Sequence, residues 1–508
     1  MVLATATPAP ARPHLIDADG GEVRETHISW VFLTADRAYK VKKPIVLPFL
    51  DYRTPERRHL LCREEVALNR RLAPELYLGV RSLIRAGEGL RLADEGDPRA
   101  VDFAVEMRRY DESATFAARL RAGAAGPEDA AAAGARLAAF HAAAEIERRA
   151  AGAEAVKRAL DDDFATLHRL CPERAAIARL ERTAGAQLAA LWDELDARAA
   201  AGLVRDGHGD LRLEHILLGE RVDIVDCVEF DPALRRIDVA ADLAFALMEL
   251  HEAGRPDLAE SLVRAYRAAG GDPGSDALLA FFGAYRAEVR AKVALLRAEQ
   301  RRPAAAEPDR AHAQRLLALA ARLRWRAHAP LVIAVAGVSA SGKSTVANRL
   351  GAASGFPVVS SDVVRKTAAG LRPTERAPVE LYADDVSRAT YTALGAGAAA
   401  RAADGVIVDA TFRRRADREA FRAGLGSGAR VLWVQLVVPA AELERRATAR
   451  VGDPARVSDA GVEVVRMQLG SAEPLDEVPG ADHVMVRADR SADGIVDAIA
   501  DAAGAPDP

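Results

Sequence analysis

The stretch GVSASGKST (337–345) constrains this chain more than any other. It fits the pattern GxxxxGK[ST] through Gly337, Gly342, Lys343 and Ser344. An apolar run, LVIAVA, precedes it and a helical pattern, TVANRLGAA, follows. Strand, glycine-rich loop and helix is the context that such a P-loop needs. The glycines let the backbone curl, so that N–H groups along Val338, Ser339, Ala340, Ser341 and onward to Thr345 point at phosphate oxygens. The helix that follows adds its positive N-terminus. Lys343 would reach the β- and γ-phosphates of ATP, and Ser344 would hold Mg2+. Further short apolar runs, FPVVSSD, GVIVDAT, ARVLWVQLVV and ADHVMVRA, are separated by helical stretches. They predict a doubly wound parallel sheet with helices on both faces over 330–508.

Three further features in this region bear on chemistry. The second strand ends in SSDVVRK, which brings Asp362 and Arg365 to the carboxyl edge where ligands of such sheets sit. Asp362 could orient or deprotonate an acceptor hydroxyl; it could also cap the helix that follows. The third strand closes on Asp409, suited to Mg2+ directly or through water, and Arg413 lies shortly after it as a candidate substrate contact. ELERRATARVGD sets Arg446 and Arg450 four apart on one helix face, able to close over ATP. Taken together, GVSASGKST, SSDVVRK, VIVDATF and RATARVGDPARVSDA resemble the small P-loop kinases related to gluconate kinase, polynucleotide kinase and zeta toxins. The resemblance implies transfer of the ATP γ-phosphate to a hydroxyl under an arginine-bearing lid.

A second motif stands far upstream, HGDLRLEHILL (208–218). An Asp two residues after a His, in a loop between apolar runs, suits Asp210 to accept the proton of an acceptor hydroxyl. VDIVDCVEFD then presents Asp226 after an apolar strand, suited to Mg2+. These residues resemble the HGD loop of aminoglycoside phosphotransferases and other protein-kinase-like phosphotransferases, over roughly 25–300. The resemblance implies a two-lobed α+β domain. In it Lys40 of AYKVKK contacts phosphate, with Lys42 as the same-face alternative. Glu65 is the lysine's ion-pair partner, Asp226 a metal ligand and Asp238 a structural acid. Glu106 and Met107 of FAVEMRRY offer hinge backbone to adenine. Two departures stand out. No GxGxxG loop precedes Lys40, although THIS (26–29) offers hydroxyls, and His215 occupies the position of a metal-binding Asn.

Composition narrows the remaining choices. With 70 basic and 74 acidic residues the net charge is −4, which gives no electrostatic footprint for nucleic acid or anionic membrane. No run is long enough to span a bilayer, and the N-terminus lacks the apolar core of a signal peptide. Cys62, Cys171 and Cys227 form no CxxC pair, consistent with a reducing cytoplasm. The expected organisation is a loose N-terminus (1–24), a kinase-like domain (25–300), a linker with a connecting helix (301–329) and a P-loop domain (330–508). The first functional reading is a bifunctional ATP- and Mg2+-dependent phosphotransferase acting on small-molecule hydroxyls. A second is a P-loop kinase regulated by an inactive kinase-like domain. A third, a nucleic-acid 5'-end kinase, is disfavoured by the charge balance. The sequence carries no sign of the acceptor or of oligomeric state. His141 is expected to be a core histidine, Trp30 and Trp433 core residues, and RRRADREAFR (413–422) a solvated helix face.

Overall fold

Short runs carrying β-branched or aromatic residues, EVRE, SWVFL and RAYKVK, form three consecutive antiparallel strands, Glu22–Glu25, Ser29–Leu33 and Arg37–Lys42. In the computed structural model, which describes residues 11–18, 20–47, 50–148, 152–449, 461–487 and 491–503, they form one side of a six-stranded sheet. The other side is Ala100–Arg108, Tyr77–Ala86 and Gly89–Ala93, again all antiparallel. The helix Pro55–Asn69 packs on this sheet. It starts where Pro55 presets φ and where the Thr54 hydroxyl accepts the Arg57 N–H at 3.3 Å. Leu61, Leu68 and Leu72 are buried as their spacing predicts, but Leu60, expected on the same side, is 58 % exposed.

The described residues divide into two compact units. The first comprises 1–152 and 194–274, the second 153–193 and 275–508. In the first, short hairpin strands Ile216–Leu218 and Val222–Ile224 carry the loops of interest. The helix Val239–Glu252 is buried along nearly its whole length. Its Asp238 N-cap accepts the Ala240 N–H and binds Arg198 bidentately at 2.9 and 2.8 Å. Asp238 is thus a structural acid.

The second unit contains a five-stranded, wholly parallel sheet. Its order is Val358–Ser360, Val406–Asp409, Leu331–Ala336, Arg430–Val437, His483–Arg487. Along LVIAVA the residues Leu331, Ile333 and Val335 enter one apolar cluster, and Val332, Ala334 and Ala336 the other. Both faces are covered, as the unbroken apolar run requires. Trp433 lies at the centre of one cluster, against Phe412 and Phe421. Residues 153–193 and 275–300, expected in the N-terminal domain, group with this sheet instead. Buried charge pairing supplies a reason. Arg324, on the helix Pro303–Arg326, binds Glu288 at 2.8 Å and Gln187 at 3.1 Å, and all three are buried. The stretch read as a linker (301–310) is helical from Pro303. The Arg-rich face is also not wholly solvated. Arg418 is 1 % exposed and donates to Glu477 and to the carbonyls of Phe412 and Pro474.

Candidate active sites

In the parallel sheet, three strand ends converge on one edge. Asp409 closes its strand in register with Ser360 on one side and Val335 on the other. The Ser344 hydroxyl donates to Asp409 Oδ2 at 2.6 Å. The loop between them is shaped by residues that L side chains rarely suit. Gly342 sits at φ +96° at the helix N-terminus, and at Gly337 (φ +151°) a Cβ would fall 2.9 Å from Ser341 Oγ. Gly337 N–H donates to the Thr411 carbonyl, and Ser341 N–H to the Val338 carbonyl. Lys343 folds back onto the Val338 carbonyl at 3.0 Å. The Ser341 hydroxyl is buried inside this cradle with no hydrogen-bond partner among the described residues, as expected of a loop built to take an anionic guest.

Asp362 lies in the first turn of the helix Ser361–Ala368. It does not cap that helix, whose N-cap is Ser360. Its carboxylate instead accepts Arg365 Nη1 at 3.2 Å. Burial raises the Asp362 pKa, and the Arg365 and Lys343 charges only partly offset it. Arg365 is buried, stacks over Tyr382 at 4.7 Å and has an Nε without a partner among the described residues. Arg413 donates to Ser471 Oγ and touches Met467 Sδ at 3.5 Å. Arg446 is held by Glu442 at 2.7 Å and its Nη1 reaches the Ser341 carbonyl at 3.4 Å, on the rim of the P-loop. Arg450 lies outside the described residues. Sequence reasoning missed Gln468, whose Oε1 accepts the Ser339 N–H at 2.7 Å; nothing local to Gln468 signals this. A cavity of about 510 Å3 in the same unit is separate from the P-loop: it is bordered by Leu180, Trp325, His328 and, on the P-loop helix, Arg349 and Ala352.

The first unit gathers a second set. Lys40 Nζ binds Asp226 Oδ1 at 2.5 Å and Glu65 Oε1 at 2.9 Å. Lys42, on the same strand face, is fully buried and binds Glu65 at 2.6 Å, Glu229 and the Tyr52 hydroxyl. Glu65 therefore bridges the two lysines. Only Lys40 keeps some exposure, so it is the one open to a ligand. Asp226 takes φ +67°, a conformation unusual for a non-glycine residue. Burial pushes its carboxyl up, but Lys40 and His215 more than reverse this and hold it below the ordinary range.

The HGD loop is fixed from behind by Asp242, which is 1 % exposed and accepts the N–H groups of His208 (2.7 Å) and Gly209 (2.9 Å). His141 Nε2 lies 3.2 Å from the same carboxylate, and its Nδ1 meets the Tyr266 hydroxyl at 2.9 Å. His141 is thus a core histidine. Asp242 was missed by sequence reading, although an acid inside so apolar a helix has to find partners to be buried at all. Asp210 itself is about one-third exposed, and its carbonyl accepts His215 Nδ1 at 2.8 Å.

Two expectations for this unit change. Glu106 and Met107 lie inside a strand paired on both sides, Glu106 with Tyr39 and Gly79, Met107 with Ala38 and Tyr77. The chain leaves the sheet only after Arg108, and even there the Arg109 N–H donates to the Asp36 carbonyl at 3.0 Å. The hydroxyls of THIS are also turned inward. Thr26 Oγ1 accepts the Ser29 N–H at 2.9 Å within the turn, and Ser29 is fully buried.

The fold and its two sites define a tandem chain, a protein-kinase-like unit followed by a P-loop unit of the kinase type. The family model described as "AAA domain" matches residues 332–475. The chain is 36 % identical over 355 residues to the uncharacterized proteins Rv2004c of Mycobacterium tuberculosis and Mb2027c of Mycobacterium bovis, over 68 % of this chain and 68 % of each relative. It belongs to the family of these mycobacterial proteins. Similar solved structures include a gluconokinase from Sinorhizobium meliloti 1021, 25 % identical with a TM-score of 0.26, covering 34 % of this chain and 91 % of that one. A choline/ethanolamine kinase family protein from Mesorhizobium loti is 17 % identical with a TM-score of 0.36, covering 59 % of this chain and 92 % of that one.

Proposed function

We propose that the chain is an ATP-dependent phosphotransferase with two sites, each moving a γ-phosphate to a hydroxyl of a small molecule. The Ser344–Asp409 contact at 2.6 Å, on the P-loop beside Lys343 and Asp362, carries the reading. This pair offers only oxygen donors, which fits Mg2+. When bound, Mg2+ and ATP supply the phosphoryl group and the charge neutralisation that lets it transfer. The P-loop N–H groups and Lys343 hold the phosphates. Arg446 and Arg450 offset charge on the transferring group. Asp362, with its raised pKa, accepts the proton of the acceptor hydroxyl, and a more basic carboxylate does this better. Arg365 and Arg413 border the acceptor. In the first unit Lys40 holds phosphate, Asp226 a metal and Asp210 takes the proton. The three buried thiols suit a cytoplasmic setting: burial pushes Cys62 and Cys227 up to about 12 and Cys171 up to about 11, so none is reactive.

One observation favours a second reading, in which the first unit binds nucleotide without turning it over. His215 faces Asp226 where an oxygen ligand is expected, and imidazole is a poor ligand for Mg2+. Both readings are tested on the full chain by following ATP consumption over a library of small hydroxyl compounds. Lys343→Ala should remove the activity of the P-loop site by about 100-fold or more, the scale of losing a principal charge stabiliser. Unchanged turnover with every acceptor would refute that assignment. Activity that survives Lys343→Ala and is lost in Lys343→Ala/Asp210→Asn belongs to the first unit. If none survives, the second reading takes over.

A further inference from the structure

We propose that Gln468 is a positioning residue for the P-loop, holding the anion cradle in shape before any nucleotide arrives. The proposal rests on reading the P-loop as an ATP site. Gln468 lies on the helix Val462–Gly470, and its Oε1 accepts the Ser339 N–H at 2.7 Å. Ser339 is 8 % exposed, so loss of Gln468 would leave a buried donor without its partner. That N–H is committed to the protein. Phosphate is left the first N–H groups of the helix Lys343–Ser354, which no carbonyl of their own helix can take.

The loop needs such support because its backbone is strained. Ala340 stands at φ +66°. This left-handed conformation is disfavoured about tenfold for an L-residue and costs glycine little. Two further contacts hold the same loop. Val338 and Ala340 pack on the apolar cluster of Leu443, Ala447 and Val465. Val465 stands three residues before Gln468, on the same helix face. Arg446, on the helix Ala440–Ala449, reaches the Ser341 carbonyl at 3.4 Å. Residues 338–341 are thus gripped by two helices, and the Gln468 bond falls between two packed side chains. That packing would have to open for Oε1 to leave, which favours support over a stand-in for phosphate that the nucleotide displaces.

The test uses the full chain and a fluorescent ATP analogue, counting as the P-loop's the binding that Lys343→Ala removes. Gln468→Leu, which keeps the bulk and loses the acceptor, should weaken that binding about tenfold, the scale of one buried hydrogen bond left unmade. Adding Ala340→Gly should restore most of the loss, because glycine holds the left-handed turn unaided. Ala340→Gly alone should change affinity little, since Gln468 already fixes the loop. A contribution to fold stability alone would lower the unfolding temperature without this rescue. Unchanged or tighter binding in Gln468→Leu overturns the proposal, as does a loss that Ala340→Gly fails to relieve, and both leave the ATP site standing. If Lys343→Ala removes no binding, the reading of the P-loop falls and the proposal with it. Should Gln468→Leu fail to fold, amide hydrogen exchange of the intact chain without nucleotide decides. Slow exchange over 337–342 supports a preformed cradle, and exchange as fast as in an unstructured loop refutes it.

Discussion

Asp362 shows how one carboxylate ties chemistry to stability. Its folded pKa is raised by burial, so ionising it costs the folded state. Stability is then full below the ordinary aspartate pKa of about 3.9 and is lost as pH rises through the raised folded value. Asp362→Asn should leave unfolding unchanged at low pH and delay it increasingly as pH rises from about 3.9 through the raised folded value, with the gain constant above that, while phosphate transfer collapses. Thermal unfolding of wild type and variant over pH 3–8 measures this, and a variant that loses stability as pH rises would refute the raised pKa. The acid limb of the P-loop activity should likewise sit above the range of an exposed carboxylate.

The strand Arg37–Lys42 and the helix Pro55–Asn69 divide labour between two lysines. Lys42 is wholly buried among Glu65, Glu229 and Tyr52. Lys42→Met removes one partner of a buried ion cluster and leaves carboxylates unpaired, which should cost about 3–5 kcal/mol. Lys40→Met should cost less stability and abolish nucleotide binding by this unit, because Lys40 keeps a partly open ammonium beside Asp226. Denaturant unfolding and titration with a fluorescent ATP analogue separate the two; equal destabilisation by both changes would refute the division. The strand pattern makes both lysines candidates on one face. The sequence separation explains why it does not choose between them. Lys40 meets Asp226 across 186 residues and Lys42 meets Glu229 across 187, and no local period encodes such contacts.

The two units carry two independent sets of chemistry-bearing residues. In the bifunctional reading, Asp210→Asn and Lys343→Ala should each silence a different acceptor profile, and the double variant should be silent for all. A single variant that erases both profiles would argue for one active site with a dependent partner. The segment 153–193, Ala-rich and helical, reads as part of the N-terminal domain because nothing in its texture marks a boundary. It groups with the parallel sheet through buried pairs such as Gln187–Arg324.

Motifs whose chemistry is written into backbone shape were legible in the chain itself. The P-loop and its flanking strand and helix, the parallel sheet, the HGD loop and Asp226 all follow from glycine freedom, hydrophobic period and short spacing, which act over a few residues. Which side chain meets which was settled by folding. Burial closed Lys42 off and left Lys40 partly open, turned Asp362 from a helix cap to Arg365, sent Arg418 inward, placed Asp242 behind the HGD loop and aimed His215 Nε2 at Asp226. These are long-range choices, fixed by the need to pair every polar group taken out of water. That need exists only once distant segments have come together.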